Sequence, residues 1–484
     1  MKIRRFYKGC LLVFLCYLVL VIGFYWIAGS ELQYQVMTTD AVNGSTPVGE
    51  LVVGTEYRQP FTVQGDELET VTLFLSTYER TNTCHLEVQI QDQSGTVLAH
   101  TEIPCQEIAD NAMRSISFDE PIPLQKGEVY DLVLTSPDGQ PGNAITPWMG
   151  STVTAARGEI PLDLPEDRQL QINGESTGSS LLYQMQLREF SWMGQHYWLL
   201  ATLCGILLVL YLVRLLWAVK KQKNIFGLRM LQVFRRYSFL MRQLVARDFK
   251  TRYKRSVLGV LWSFLNPLLT MIVQYVVFST LFRSDIPNYA LYLLTGIVCY
   301  NFFSESTSVS LTSITGNASL ITKVYVPKYI YPVSKVLSSS VNLLLSLIPL
   351  IFVMVFSGVP VRPAILLLPF GLLCLLCFCV GMGFLLSTLM VFFRDMQFLW
   401  SVLSMLWMYL TPVFYPESII PEQFMMLYKC NPLYHILRFF RGILIDGVSP
   451  APKAYLYCLI ASAVPLVIGA AVFKSKQDKF ILNL

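Results

Sequence analysis

The sequence predicts a polytopic α-helical membrane protein of about eight spans with an inserted extracytoplasmic all-β sandwich domain, and three observations carry that class. First, 54% of the 484 residues are hydrophobic and 14% charged, whereas ordinary soluble chains are about 25% charged. Second, apolar stretches near membrane length recur at residues 9–28, 197–219, 257–281, 291–313, 332–356, 364–393, 398–413 and 455–473. Third, the net charge of +5 conceals two opposed regions. Residues 29–196 hold 24 acids and 7 bases, net −17, while the other 316 residues hold 8 acids and 30 bases, net +22. An exported acidic domain beside a membrane domain that keeps its cations in the cytosol produces that split.

Taken in order, residues 1–8 carry four basic side chains and residues 9–28 form an apolar run. Ala28-Gly29-Ser30 has the small residues of a cleavage site, yet the run is long for a signal peptide and right for a span. Residues 1–28 therefore read as an uncleaved signal-anchor with the N-terminus inside. Residues 29–196 change character. Thr70 to Leu75, Leu86 to Ile90, Ser115 to Phe118 and Tyr130 to Leu134 alternate apolar and polar, with turn residues at Gln93-Ser94-Gly95, Gln125-Lys126-Gly127 and Pro137-Asp138-Gly139. Period-two alternation with regular turns predicts an antiparallel sandwich, loosely similar to glycan-binding jelly-roll modules and equally compatible with a spacer or docking platform. Of eleven cysteines only Cys84 and Cys105 fall in this region, as a bridge or as two buried thiols.

Residues 197–219 return the chain to the cytosol, with Trp192 and Trp198 as interfacial anchors. Residues 220–256 form a basic collar: residues 219–256 contain twelve Lys/Arg and one acid, Asp248. Within it residues 225–247 predict an in-plane amphipathic helix, with Met230, Val233, Phe234, Tyr237, Leu240, Met241 and Leu244 on one arc and Arg229, Arg235, Arg236, Arg242 and Arg247 opposite. Residues 257–484 then supply six spans. Placing Lys323, Lys328, Arg394, Lys474, Lys476 and Lys479 on inside segments is self-consistent, with both termini cytoplasmic.

The motifs for catalysis are missing. No Gly-Lys dipeptide occurs, so the chain has no phosphate-cradling loop of the G-x-x-x-x-G-K-[ST] type. The four histidines have no ligand-like spacing, which leaves no metal site and no cofactor in this chain. The most informative cytosolic piece is residues 316–332. Asn317 is placed to cap a short helix that Pro327 stops, with Leu320, Ile321, Val324 and Tyr325 exposed on two turns for a partner protein, or else lying on the membrane. Glu305, inside an apolar stretch, needs a partner, and Lys335 is the one the sequence offers. Trp400, Trp407, Tyr409, Phe414 and Tyr415 supply rings on which sugars stack, although most such residues pack.

The run Arg247-Asp248-Phe249-Lys250-Thr251-Arg252-Tyr253-Lys254-Arg255-Ser256-Val257-Leu258-Gly259-Val260-Leu261-Trp262 with Asn266-Pro267 resembles the opening motif of polysaccharide, O-antigen and teichoic-acid ABC exporter permeases. So do residues 317–332, Phe393-Arg394-Asp395-Met396, Thr411-Pro412-Val413-Phe414-Tyr415-Pro416, and Asn431-Pro432-Leu433 with Arg441-Gly442. Residues 1–220 lie outside that pattern. The resemblance implies a permease that homodimerises among membrane lipids and binds two copies of an ABC ATPase subunit carrying the ATP and Mg. It makes Asn317, Leu320, Ile321, Lys323, Val324 and Tyr325 the coupling helix, and the cargo a lipid-linked glycopolymer rather than a nucleic acid. Arg252, Lys254 and Arg255 then become candidates for a lipid phosphate, against plain positive-inside anchoring. Residues 415–453, broken by five prolines, suit re-entrant helices at an external gate, with Glu305, Trp407, Tyr409, Phe414 and Tyr415 as channel or gate residues. Two other classes compete. One is a membrane-anchored glycan-binding sensor or scaffold; the other, a glycosyltransferase, is weakened by loops nearly free of paired carboxylates.

Overall fold

A computed structural model describes residues 3–39, 42–155, 158–161, 165–221, 226–254, 256–282, 288–323 and 326–483. It divides into two compact units, Met1–Glu31 with Trp198–Leu484, and Leu32–Tyr197. Helix α1 (Ile3–Gln33) runs unbroken through Ala28-Gly29-Ser30.

The second unit is built from antiparallel sheets. In one, strand Glu67–Ser76 lies between Tyr183–Phe190 and Ala112–Pro123, and Tyr34–Thr38 extends the first of these. In another, Val129–Thr135 lies between Tyr57–Thr62 and His85–Gln91, with Val97–Pro104 outside. All four alternating segments expected from sequence fall in these strands. In His85–Gln91 every second residue (Leu86, Val88, Ile90) is fully buried. These side chains share one apolar cluster with Val71, Leu73 and Leu75 of the other sheet, which is the two-layer packing that the alternation demands. Cys84 and Cys105 flank the hairpin as buried thiols, with their sulfurs 2.8 Å apart. On the surface the Asp138 carboxylate takes both the His85 backbone N–H and the His85 ring at 2.7 Å, and this contact raises the imidazole above its ordinary pKa. A single turn, α2 (Trp192–Gln195), ends the unit.

In the other unit α3 (Tyr197–Lys220) pairs with α1: Tyr17 donates to the Ala201 carbonyl at 2.5 Å, and Phe6 and Cys10 pack with Leu215 and Ala218. Next comes α4 (Phe226–Tyr253), which extends the amphipathic segment by the turns bearing Asp248 and Arg252. Then follow α5 (Trp262–Phe282), α6 (Tyr289–Leu311), α7 (Ala318–Lys323), α8 (Ile330–Phe356), α9 (Leu368–Phe392), α10 (Met396–Tyr409), α11 (Glu422–Lys429), α12 (Pro432–Arg441), α13 (Pro452–Lys476) and α14 (Phe480–Asn483). Helix α6 is the axis of this bundle, with 17 of its 23 residues buried and α5, α8, α9 and α12 packed around it. Helices α9 and α13 approach so closely that a Cβ at Gly469 would stand 2.1 Å from the Gly381 carbonyl oxygen. Small residues permit such contact between apolar helices, where burial alone gives little preference for one neighbour over lipid.

Among the described residues six helices are long and apolar enough to cross a membrane, two fewer than the eight apolar stretches. Helix α6 has the length, but Thr, Ser, Asn and Glu dilute its apolar character. Helix α10 has 14 residues, about 21 Å of rise, against about 30 Å of hydrocarbon.

Candidate functional site

Three clusters in the helical unit hold the residues singled out from sequence. The first joins α4, α6 and α8. One turn apart on α4, Asp248 and Arg252 both face the bundle. Arg252 donates to Glu305 Oε1 at 2.6 Å, and the Asn342 amide donates to the same oxygen at 3.1 Å. Asp248 takes Lys335 at 2.8 Å and Arg247 at 3.0 Å. The expected Glu305–Lys335 pair is thus corrected: each residue has a closer partner on α4, because both α6 and α8 turn their polar positions toward that helix. Tyr253 extends the network, hydrogen-bonding Asn342 Oδ1 at 2.8 Å and the Ser263 hydroxyl. A cavity of about 260 Å³ opens here, lined also by Thr251, Ser338 and Ser339. Of the three cations assigned to a phosphate, Arg252 is engaged with Glu305, Lys254 is exposed, and Arg255 lies outside the described residues.

The second cluster surrounds α7. Asn317 does not cap it. Its Nδ2 instead donates to the Ser313 carbonyl at 2.8 Å, closing the turn that follows α6. Nor is the apolar face free: Ile321 is buried among Ile314, Tyr331, Phe384, Phe473 and Phe480, and Leu320 packs beside it. The helix has only 6 residues, and its two apolar side chains serve as its anchor to α8, α9, α13 and α14. Ser319, Thr322 and Lys323 are left facing outward. Val324 and Tyr325 lie outside the described residues. Lys328 ties the same knot by donating to the Gln477 carbonyl at 2.6 Å.

The third cluster explains why the two proline motifs occur together. Residues 410–416 leave helical geometry, and their carbonyls need donors in an apolar setting. Arg441, almost fully buried, donates to the Pro412 carbonyl at 2.7 Å and the Val413 carbonyl at 3.0 Å, and its guanidinium lies 3.4 Å from the Tyr292 ring centroid. Tyr289 serves the Phe414 carbonyl at 2.6 Å and Tyr292 the Tyr415 carbonyl at 2.8 Å. Asn431 holds the far side. Its Nδ2 reaches the Leu410 carbonyl and Thr411 Oγ1, while its Oδ1 caps α12 through the Leu433 N–H and accepts from Trp407 Nε1 at 2.9 Å. Gly296 is needed where α6 meets this segment, since a Cβ there would lie 2.9 Å from the Val413 oxygen.

The gate aromatics separate accordingly. Phe414 is a core residue, 5% exposed and stacked on Phe278 at 5.5 Å, because its carbonyl and ring are both held by neighbours. Trp407 is partly buried on the Asn431 bond. Tyr415 donates to the Tyr409 carbonyl at 2.5 Å and pairs with the Tyr428 hydroxyl. Tyr409 itself is 56% exposed. Sequence reasoning missed Asp248, Asn342, Tyr289, Tyr292 and the donor role of Arg441. A cation inside an apolar segment is costly unless engaged, and that signal would have found Arg441 as it found Glu305.

The first and third clusters, and helix α7 of the second, lie in one stretch of chain. A family model described as ABC-2 type transporter matches residues 240–445. The O-antigen export system permease protein RfbA of Klebsiella pneumoniae is 34% identical over 237 residues, which are 48% of this chain and 90% of that protein. Its namesake from Myxococcus xanthus is 31% identical over 257 residues, 52% of this chain and 98% of that one. The polysialic acid transport protein KpsM of Escherichia coli is 22% identical over 245 residues, 50% and 94% respectively. Through its helical unit, with the interlocked proline motifs at its centre, this chain belongs to the ABC-2 type transporter family of membrane subunits.

Proposed function

We propose that this chain is the membrane-spanning permease subunit of an ATP-driven exporter that carries a lipid-linked polysaccharide, of the O-antigen, capsular or teichoic-acid kind, from cytosol to cell exterior. The observation that carries the reading is the 34% identity to an O-antigen export permease across 90% of that protein. Hydrolysis of ATP with Mg belongs to a separate ATPase subunit, two copies of which meet a homodimer of this chain. In this reading the chain passes the membrane eight times with both termini cytoplasmic, α6 and α10 completing the passes, and residues 29–196 lie outside.

The roles follow from the placements above. Helix α7, held from behind by Leu320 and Ile321, presents Ser319, Thr322 and Lys323 to the ATPase, with Val324 and Tyr325 following. Lys254, with Arg255, meets the lipid phosphate as the polymer arrives, while Arg252 with Glu305 holds α4 against the bundle. The carbonyl-capped segment 410–416 forms the outer closure, with Tyr409 and Tyr415 nearest the passing glycan. The β unit contacts the emerging polymer or the enzymes that receive it.

The test is complementation. In cells lacking the gene, surface polysaccharide returns only when this chain is supplied with an ATPase whose phosphate-binding loop is intact. Two outcomes overturn the reading: a purified chain that moves glycan without nucleotide, or a Lys323→Cys variant labelled only from outside. Replacing residues 29–195 with a linker should leave coupled ATPase activity intact and alter polymer delivery.

A further inference from the structure

A groove of about 940 Å³ runs between α11, α12 and α13, and no contact described above uses it. Its lining carries three cations. Lys429 closes α11, Arg438 sits on α12 and Lys453 lies in the first turn of α13, all three exposed. Among the described residues none of the three has a carboxylate partner; Arg438 only approaches the Tyr434 hydroxyl, at 3.5 Å. Asp446 also lines the groove, so the local balance is three cations to one anion. His435 donates to the Lys429 carbonyl at 2.7 Å and its ring lies 5.2 Å from the Tyr457 ring, tilted by 38°.

Further along α13 the lining is apolar, with Ile460, Val464 and Pro465. Ile460 is 50% and Val464 49% exposed, on a helix that qualifies as a membrane span. From Lys453 to Val464 the helix rises about 16 Å, close to half of the roughly 30 Å hydrocarbon layer. Lys474 and Lys476 end the same helix. Retention of cations on one membrane face accounts for one end of α13 but not for both.

We infer that this groove holds an anionic glycerophospholipid, its phosphate among Lys429, Arg438 and Lys453 and one acyl chain lying along Ile460 and Val464. The occupant is chosen by charge complementarity with the three cations and by the length of the apolar lining along α13. A soluble anionic glycan leaves that apolar lining unused, and a neutral lipid leaves the cations uncompensated. The site depends only on α13 standing in a bilayer, not on the cargo proposed above.

The experiment is native mass spectrometry of the full chain in detergent, titrated separately with phosphatidylglycerol, phosphatidylcholine and a polyprenyl phosphate. Phosphatidylglycerol is expected to be retained about tenfold more than phosphatidylcholine, as three surface cations allow. The Lys429→Gln/Arg438→Gln/Lys453→Gln variant should lose that preference and keep the phosphatidylcholine level. Val464→Trp, which fills the apolar part with the cations intact, should lower retention of both phospholipids. If the triple variant fails to elute as a monodisperse species, the single Lys453→Gln variant and Val464→Trp carry the reading. Equal retention of the two phospholipids, or a preference unchanged in these variants, overturns the inference. So does displacement of phosphatidylglycerol by equimolar polyprenyl phosphate, which would make the groove a cargo site.

Discussion

The β unit and the segment 410–416 solve one problem in opposite ways. Strands of the sandwich satisfy their backbone through ladders, and side chains are left free to form two apolar faces. The segment between α10 and α12 has no ladder. Its carbonyls are taken up by Arg441, Tyr289, Tyr292 and Asn431, which come from two helices and a loop. Backbone-to-backbone bonding survives most substitutions, because every residue except proline carries the same groups. Side-chain capping makes the backbone depend on particular residues. Sensitivity to single changes is therefore expected to concentrate in a few positions of the helical unit, and to be shallow across the strands.

The sharpest way to break that contrast is Arg441→Met, which keeps bulk and orphans two carbonyls. At roughly 1–3 kcal/mol for each unsatisfied buried group, the loss is about 4 kcal/mol, read as a collapse of monodisperse yield and a large fall in Tm in detergent. A melting temperature within a degree of the parent would show that these donors do not hold the segment. Next in size is Gly469→Val. The Gly381 carbonyl cannot yield to a Cβ 2.1 Å away without moving α9 against α13, at about 1–3 kcal/mol.

A smaller effect separates the polar junction from the pairing that sequence suggested. Because Arg252 and Glu305 are 38% and 29% exposed, solvent screens the pair, and a double-mutant cycle of Arg252→Gln and Glu305→Gln should give a coupling of about 0.5–1 kcal/mol. The same cycle with Lys335→Gln in place of Arg252→Gln should give less. Equal couplings would dissolve the distinction. Smallest is the pH response of the sandwich. Asp138 raises the His85 pKa in the folded state, so its contribution to stability is fully present below the ordinary imidazole value and is lost as pH rises through the elevated one. The Tm difference between the parent and His85→Gln should therefore shrink from pH 5.5 to pH 8, and a constant difference would remove the pair from the account.

Hydrophobic periodicity made the long elements legible. The stretch at 197–219 is α3, that at 332–356 falls within α8, and the four alternating runs of the acidic region are strands, since burial of one face writes its period into the sequence. Contacts between elements were not legible in that way. Arg252 and Glu305 stand 53 residues apart, and which side of α6 meets α4 depends on helix rotation that no local pattern encodes. The burial of Leu320 and Ile321 on helix α7 was not legible for a related reason. Apolar residues on a short loop look like a docking face until the aromatic side chains of α13 and α14 are found beneath them.

That underlying knot has a mechanical consequence. Ile321 belongs to one buried cluster with Phe384 of α9, Phe473 of α13 and Phe480 of α14, whose rings pack on one another, while Lys328 clasps the end of α13. Close-packed rings transmit a push rather than absorb it. Any thrust delivered to the six-residue α7 is shared at once by the feet of α9 and α13, the two helices whose glycines already touch. The small helix is thus seated like a tappet on a pair of rods.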